Sequence, residues 1–294
     1  MIDPNIDFSK IYSSTKLSMF TECPKSYHFS YLDPVYSKMK SDLKKRPENI
    51  WNFQTLGKAV HNAITLFYHL DLAQRTKDQL KFGLKDVWQS EVMWNQKPPL
   101  GKWGGFQTIE EEREVYTQAL QMLDNFFNIA NKNPDITYLP TSDFKHSIDD
   151  YKNLITPISK EVDISGKFDL VVNNGDSLEV VDFKTGKKEE SKDFQLRFYK
   201  ALAEEKFQKP VSKASFYFLR NGKIQDFPLE EDTQNIKEEI LDMVKTIKST
   251  EVFEARPGKL CKFCLFKDFC PEKEKVREIL GEMKTDDYSD DLPF

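Results

Sequence analysis

The stretch Glu161-Val-Asp-Ile-Ser-Gly-Lys-Phe-Asp169, continued by Leu178-Glu-Val-Val-Asp-Phe-Lys184, decides how the rest of the chain is read. Polar and apolar residues alternate from Glu161 to Val172, which is the period of a half-buried strand. Leu178 to Phe183 is apolar and rich in β-branched residues, so it reads as a second strand. Between them, Asn173-Asn174-Gly175-Asp176 carries an Asn-Gly pair that accepts the positive φ angles of a tight hairpin turn. Pairing the strands brings Asp169 and Asp182 to one end of a sheet. Lys184 follows Asp182 at a spacing of two, so both point to one face while Phe183 points into packing. Two carboxylates and an ammonium thereby converge.

Such a trio suits phosphoryl chemistry. Hard Mg²⁺ or Mn²⁺ takes carboxylate oxygens and keeps waters that become nucleophiles. An ammonium beside them orients and helps deprotonate a water, and it offsets charge developing in the transition state. By itself, Asp-x-Lys reads rather as an exposed hairpin with ordinary cross-strand ion pairs.

Length and composition bound the options. A chain of 294 residues and 34.4 kDa, 39% hydrophobic, has enough apolar content for one large core or two modest ones. It contains no run of about 18 apolar residues, so no membrane span is expected. The start, Met-Ile-Asp-Pro-Asn-Ile-Asp, has no basic region followed by an apolar run, and a cytoplasmic protein is the expectation. The net charge of −5 does not suit a polyanion ligand, but Asp286, Asp287, Asp290 and Asp291 crowd into the tail with no base among them. A local basic groove is therefore allowed, with Lys44-Lys45-Arg46, Lys187-Lys188 and Arg197 with Lys200 as candidate lining or, individually, solvated faces.

Helical spacing marks most of what remains. Leu17, Phe20, Cys23, Tyr27 and Tyr31 predict a helix over Ser13 to Leu32, capped by Ser and Thr; Tyr36 to Trp51 reads as a polar connection. Further helices are predicted over Thr55 to Leu72, Asp78 to Trp94 and Thr108 to Asn131, the last two separated by the turn-rich Lys97-Pro-Pro-Leu-Gly-Lys-Trp-Gly-Gly105. Asp193 to Phe207 and Thr233 to Ser249 are helical, and Ala214 to Leu219 with Lys223 to Phe227 forms a hairpin through Arg220-Asn221-Gly222. The expected organisation is an N-terminal arm at 1–60, a helical insertion or lid at 61–135, a sheet with its helix at 136–230, a C-terminal helix and cysteine segment at 231–284, and an acidic disordered tail at 285–294.

Gly166-Lys-Phe-Asp169, Val180-Val-Asp-Phe-Lys-Thr-Gly186 and Gln195-Leu-Arg-Phe-Tyr199, in that order and spacing, resemble the RecB-like branch of the PD-(D/E)xK nuclease superfamily. Two departures stand out: Phe168 replaces a Pro before Asp169, and the middle acid is Asp182 rather than Glu. Gly57-Lys-Ala-Val-His61 is similar to the family's Gly-x-x-x-His, whose histidine reaches the metal; a lone helical His is otherwise as readily structural. The resemblance implies an α/β core of restriction-endonuclease-like type, a mixed sheet flanked by helices. It also implies Mg²⁺- or Mn²⁺-dependent hydrolysis of DNA, exonucleolytic on single strands, in repair or recombination. Asp169, Asp182, the Phe183 carbonyl and His61 would hold metal, Lys184 would handle the water, and Gln195 and Tyr199 would hold that lysine and the nucleic-acid strand. A prespacer-trimming nuclease of CRISPR adaptation and a non-catalytic DNA scaffold for a helicase are the alternatives.

Cys261-Lys-Phe-Cys264-Leu-Phe-Lys-Asp-Phe-Cys270-Pro and Cys23 hold all four cysteines of the chain. A cytoplasmic setting disfavours disulfides, and the set fits one Cys₄ site, either [4Fe-4S] or tetrahedral Zn²⁺. One early cysteine with a late trio resembles the iron-sulfur nucleases of CRISPR adaptation, AddB-type subunits and a eukaryotic replication helicase-nuclease. That likeness implies a [4Fe-4S] staple between the two ends of the chain. The end of the tail, Asp290-Asp291-Leu292-Pro293-Phe294, is similar to the C-terminal peptide of bacterial single-stranded-DNA-binding proteins. It implies docking on a repair or replication protein, against an otherwise inert, solvated tail or a cover over the DNA groove.

Overall fold

Among the residues described by the computed structural model, 6–90, 101–142, 147–186 and 194–282, eight strands form two sheets. They are β1 (Ile11–Tyr12), β2 (Ile136–Tyr138), β3 (Thr156–Pro157), β4 (Asp163–Ile164), β5 (Leu170–Asn174), β6 (Ser177–Lys184), β7 (Val211–Phe218) and β8 (Lys223–Pro228). The larger sheet has the order β2-β5-β6-β7-β8, and the smaller β1-β4-β3. In the larger sheet β6 and β7 are parallel and the other neighbours antiparallel. The helices are α1 (Ser14–Glu22), α2 (Pro24–Tyr31), α3 (Tyr36–Lys44), α4 (Asn52–His69), α5 (Lys77–Gln89), α6 (Ile109–Ile129), α7 (Ser147–Asn153), α8 (Phe194–Phe207), α9 (Thr233–Ser249) and α10 (Lys273–Glu282).

The central strand β6 is buried from Leu178 to Phe183, which requires cover on both faces. Its alternation distributes that cover. Leu178 and Val180 share a core with Leu196, Phe198 and Leu202 of α8 and with Ile236, Ile240 and Val244 of α9. Val181 and Phe183 share the opposite core with Val60, Ile64 and Phe67 of α4, Leu84 of α5, and Leu123 and Phe126 of α6. Each such side chain contributes roughly 1.5–3 kcal/mol by leaving water. Since a parallel neighbour cannot be reached by a tight turn, β6 passes through α8 to β7, and that crossover helix lies over the face bearing Asp182 and Lys184.

Local chemistry explains where the elements differ from the sequence reading. The single strand expected from Glu161 to Val172 is split: β4 joins the small sheet, β5 the large one, and residues 165–169 run between them. Gly166 in that link lies so close to α8 that an added Cβ would stand 3.1 Å from Leu202 and 3.2 Å from the Tyr199 ring. In the hairpin, Asn174 pairs with Ser177, so the turn is Gly175-Asp176, with Gly175 at φ 74°. The helix expected over Ser13 to Leu32 breaks at Cys23 (φ −152°), because Pro24 opens α2 at the position where a missing N–H costs least. The expected connection from Tyr36 to Trp51 contains α3, started by Asp33 Oδ1 accepting from the Val35 and Tyr36 N–H groups and buried through Leu43. α5 and α6, expected as an insertion or lid, pack as one layer of the sheet's own core.

Arg197 and Lys200 do not line a groove. Arg197 pairs with Glu239 at 2.5 Å, and the Lys200 ammonium is buried among Glu204 and the Val211 and Leu229 carbonyls. Lys187, Lys188 and the proposed docking residues Asp290, Asp291, Leu292, Pro293 and Phe294 lie outside the described residues. No helix among the described residues is long and apolar enough to cross a membrane.

Candidate active site

The pairing of Leu170 with Val181 sets the register of the hairpin, and one step further along it Asp169 stands opposite Asp182. Lys184 continues on the face of Asp182, and its Nζ lies 3.0 Å from Asp182 Oδ2. From α8, Gln195 joins the two: its Oε1 accepts from Lys184 Nζ at 3.2 Å, and its Nε2 donates toward Asp182 Oδ1 at 3.4 Å. Gln195 Nε2 also reaches the Tyr199 hydroxyl at 3.3 Å, which in turn donates to the Lys167 carbonyl at 3.1 Å. The spacing of four places Gln195 and Tyr199 on one helical face, as the sequence implied.

The opposite layer delivers His61. α4 approaches the end of β6 closely at Gly57, where a Cβ would sit 3.1 Å from Thr185 Oγ1. One turn later His61 Nδ1 meets Asp169 Oδ1 at 2.8 Å, while the Phe183 N–H donates to Asp169 Oδ2 at 2.8 Å. The structure therefore gathers His61, Asp169, Asp182, Phe183, Lys184, Gln195 and Tyr199 at one end of the sheet.

Two buried carboxylates side by side are electrostatically unequal. Burial raises the Asp182 carboxyl to about 6, with Lys184 opposing and Asp169 adding to the rise. Burial also works against ionisation of Asp169, but the His61 pair and the Phe183 N–H outweigh it and hold this carboxyl below its ordinary value. Burial likewise opposes the His61 imidazolium, yet Asp169 raises it. Asp169 is thus the anion of an ion pair, and Asp182 is the carboxyl whose charge is least compensated.

In kind, two carboxylates and an imidazole fit a hard divalent ion. In arrangement, both acids are closed by bonds within the chain, and among the described residues no three His, Cys, Asp or Glu side chains form a ready-made ion site. Three neighbours escaped the sequence reading. Lys58 lies one turn before His61; burial lowers its ammonium, and the charge of Lys167, two residues before Asp169 on the incoming segment, adds to that. Tyr138, on β2, places a buried hydroxyl without a hydrogen-bond partner near Asp169 and Asp150. For the two lysines, spacing from His61 and Asp169 was the available signal; for Tyr138 there was none.

The cysteines form a second group. Cys23, Cys261, Cys264 and Cys270 are free, partly buried, and line one pocket whose rim includes Lys25, Arg256 and Lys267. The Gly258 N–H approaches Cys261 Sγ at 3.4 Å, and Ser26 Oγ lies 3.9 Å from Cys264 Sγ. Burial pushes the Cys264 thiol up to about 11, so charge on that sulfur needs a cationic partner.

A mixed sheet with helices on both faces, carrying an Asp just before one strand and Asp-x-Lys on the next, defines a metal-dependent nuclease class. The chain belongs to the PD-(D/E)XK nuclease superfamily, which it matches over residues 12–271. No curated protein matches it.

Proposed function

We propose that this chain is a Mg²⁺- or Mn²⁺-dependent deoxyribonuclease acting as a single-strand exonuclease in DNA repair or recombination. The observation that carries the reading is the convergence of His61 and Asp169 from one side with Asp182, Lys184 and Gln195 from the other. Asp169, Asp182, His61 and the Phe183 carbonyl are the residues that would hold the divalent ion. When bound, the ion supplies a Lewis acid and an acidified water. Lys184, as an ammonium, would orient the attacking water and offset the negative charge that develops on the phosphate oxygens, while the water's proton leaves to solvent. Gln195 keeps the ammonium on the Asp182 face, and Tyr199 fixes Gln195 to the Lys167 carbonyl.

The preference for a [4Fe-4S] cluster over Zn²⁺ rests on the resemblance of the cysteine pattern; Cys23, Cys261, Cys264 and Cys270, which line one pocket, would hold it, and Lys25, Arg256 and Lys267 in the same lining would offset an anionic cluster. Anaerobic protein should show iron and sulfide in equal amounts with visible absorbance; colourless protein containing only zinc would overturn this assignment. The tail assignment rests on its residues alone: Phe294 with Asp290 and Asp291 docks on a repair or replication partner, and deletion of Phe294 should abolish pull-down while leaving nuclease activity intact.

The central test incubates anaerobically purified protein with end-labelled single- and double-stranded DNA and Mn²⁺. Progressive shortening of the single strand is expected, lost at least ~10²-fold in Lys184→Ala. DNA bound but intact with both proteins would replace the enzyme by a scaffold that holds DNA for a helicase.

A further inference from the structure

Two lysines of the N-terminal arm share one tyrosine ring. Lys16 is 9% exposed, and its ammonium donates to the Ile11 carbonyl at 2.8 Å. The same Nζ lies 4.5 Å from the Tyr12 ring centroid and 5.1 Å from that of Tyr31. Lys40, from α3, stands 4.0 Å from the Tyr31 centroid. Tyr31 is backed by Tyr27 at 5.2 Å and keeps 37% of its surface in solvent. The described contacts of the two ammoniums are a carbonyl and aromatic rings, with no carboxylate among them.

Cation–π contact returns only part of the hydration that a buried ammonium gives up. Burial pushes both lysines down to about 8, and at Lys40 the charges of Lys44 and Lys16 add to it. An anion brought to the exposed side would relieve both the lost hydration and the mutual repulsion.

The position of this pair supplies the ligand. Tyr31 neighbours Tyr151, whose carbonyl accepts from the Ser165 hydroxyl at 2.6 Å. The Ser165 N–H is bonded to the Tyr12 carbonyl at 2.9 Å, so the tyrosines pack, through buried contacts, against the segment that leads to Asp169. Asp169 follows Ser165 by four residue steps, at most ~14 Å of chain.

Resting on the nuclease reading, we propose that Lys40, with Tyr31 and Lys16 behind it, is a backbone-phosphate subsite for the DNA strand that runs to Asp169 and Asp182. Lys40 meets the phosphate, Tyr31 fixes where the ammonium stands, and Lys16 adds positive field from beneath.

The test measures binding of a fluorescein-labelled oligothymidylate to the full chain, without added divalent metal, over a series of salt concentrations. Lys40→Gln should weaken binding roughly tenfold and reduce the slope of log K against log salt by about 0.7, the loss of one phosphate contact. Lys40→Arg should restore most of both. Lys38, an exposed lysine on the same helix, is the control for net charge. Equal losses in Lys38→Gln and Lys40→Gln, or wild-type binding by a normally melting Lys40→Gln protein, would overturn the subsite. If that happens while wild type still cleaves DNA and Lys184→Ala does not, the nuclease stands without the subsite. Failure of wild type to bind or cut any DNA removes both.

Discussion

Gln195 is the side chain on which the internal order of the site turns. Its amide accepts from Lys184 and donates toward Asp182, so neither group reorients without it. Gln195→Leu keeps much of the volume and deletes both bonds; single-turnover cleavage is expected to fall roughly 10²-fold, the scale of one lost positioning contact, with the melting temperature little changed. Lys16 carries a different prediction. Its ammonium is held near about 8 in the folded chain against 10.5 ordinarily, so below about 8 the folded state bears the whole penalty of a buried cation. As pH climbs toward 10.5, the unfolded chain binds more protons than the folded one and stability rises. Lys16→Met should therefore raise the melting temperature most at neutral pH, with the gain shrinking from pH 8 to 10.5. A difference independent of pH would mean that packing, not charge, sets the effect.

α4 holds His61 by an approach that a side chain at Gly57 would obstruct. With a Cβ already 3.1 Å from Thr185 Oγ1, Gly57→Val must push the helix from the end of β6. A loss of about 1–3 kcal/mol is expected from overpacking, read by denaturant titration, and cleavage should fall further than stability because the displaced helix carries His61. The other end of α4 is tied by Arg75, which donates to the Leu70, Tyr68 and Lys132 carbonyls at 3.0, 2.8 and 2.7 Å. Arg75→Ala strands those acceptors at the junction of α4 and α6. Chemical denaturation should register about 1–3 kcal/mol, and an unchanged midpoint would show that water replaces the guanidinium there.

Across the whole molecule, the two ends of the chain meet at the cysteine pocket. The Lys25 N–H bonds the Glu254 carbonyl at 3.0 Å, Arg256 reaches the Thr21 carbonyl at 2.5 Å, and Phe20 packs on Phe253. Phe263, within the cysteine segment, packs on Trp51 at 5.1 Å and on Phe53 at 5.6 Å, at the start of α4. Loosening the pocket thus reaches the helix that carries His61. Cys23→Ala should lower the melting temperature by several degrees and weaken DNA cleavage, whereas Lys184→Ala should lower cleavage alone. Equal melting curves for wild type and Cys23→Ala would mean that the apolar contacts hold the two ends without the thiols.

What the sequence determined by itself was local. On the apolar, β-branched run Leu178–Phe183, a spacing of two set Asp182 and Lys184 on one face, a spacing of four did the same for Gln195 and Tyr199, and the amphipathic run Thr233–Ser249 became a helix with those bounds. Such features depend on backbone geometry repeating over a few residues. Breaks in periodicity were harder to read: Pro24 split one helix, and the passage of Gly166 beneath α8 split one strand between two sheets. Only the tertiary structure made α5 and α6 a core layer, brought Tyr138 toward Asp169, and turned Arg197 and Lys200 inward. It alone set Lys16 and Lys40 on Tyr31. These pairings join residues far apart in the chain, and they arise from how the layers bury their apolar faces, which no local repeat encodes.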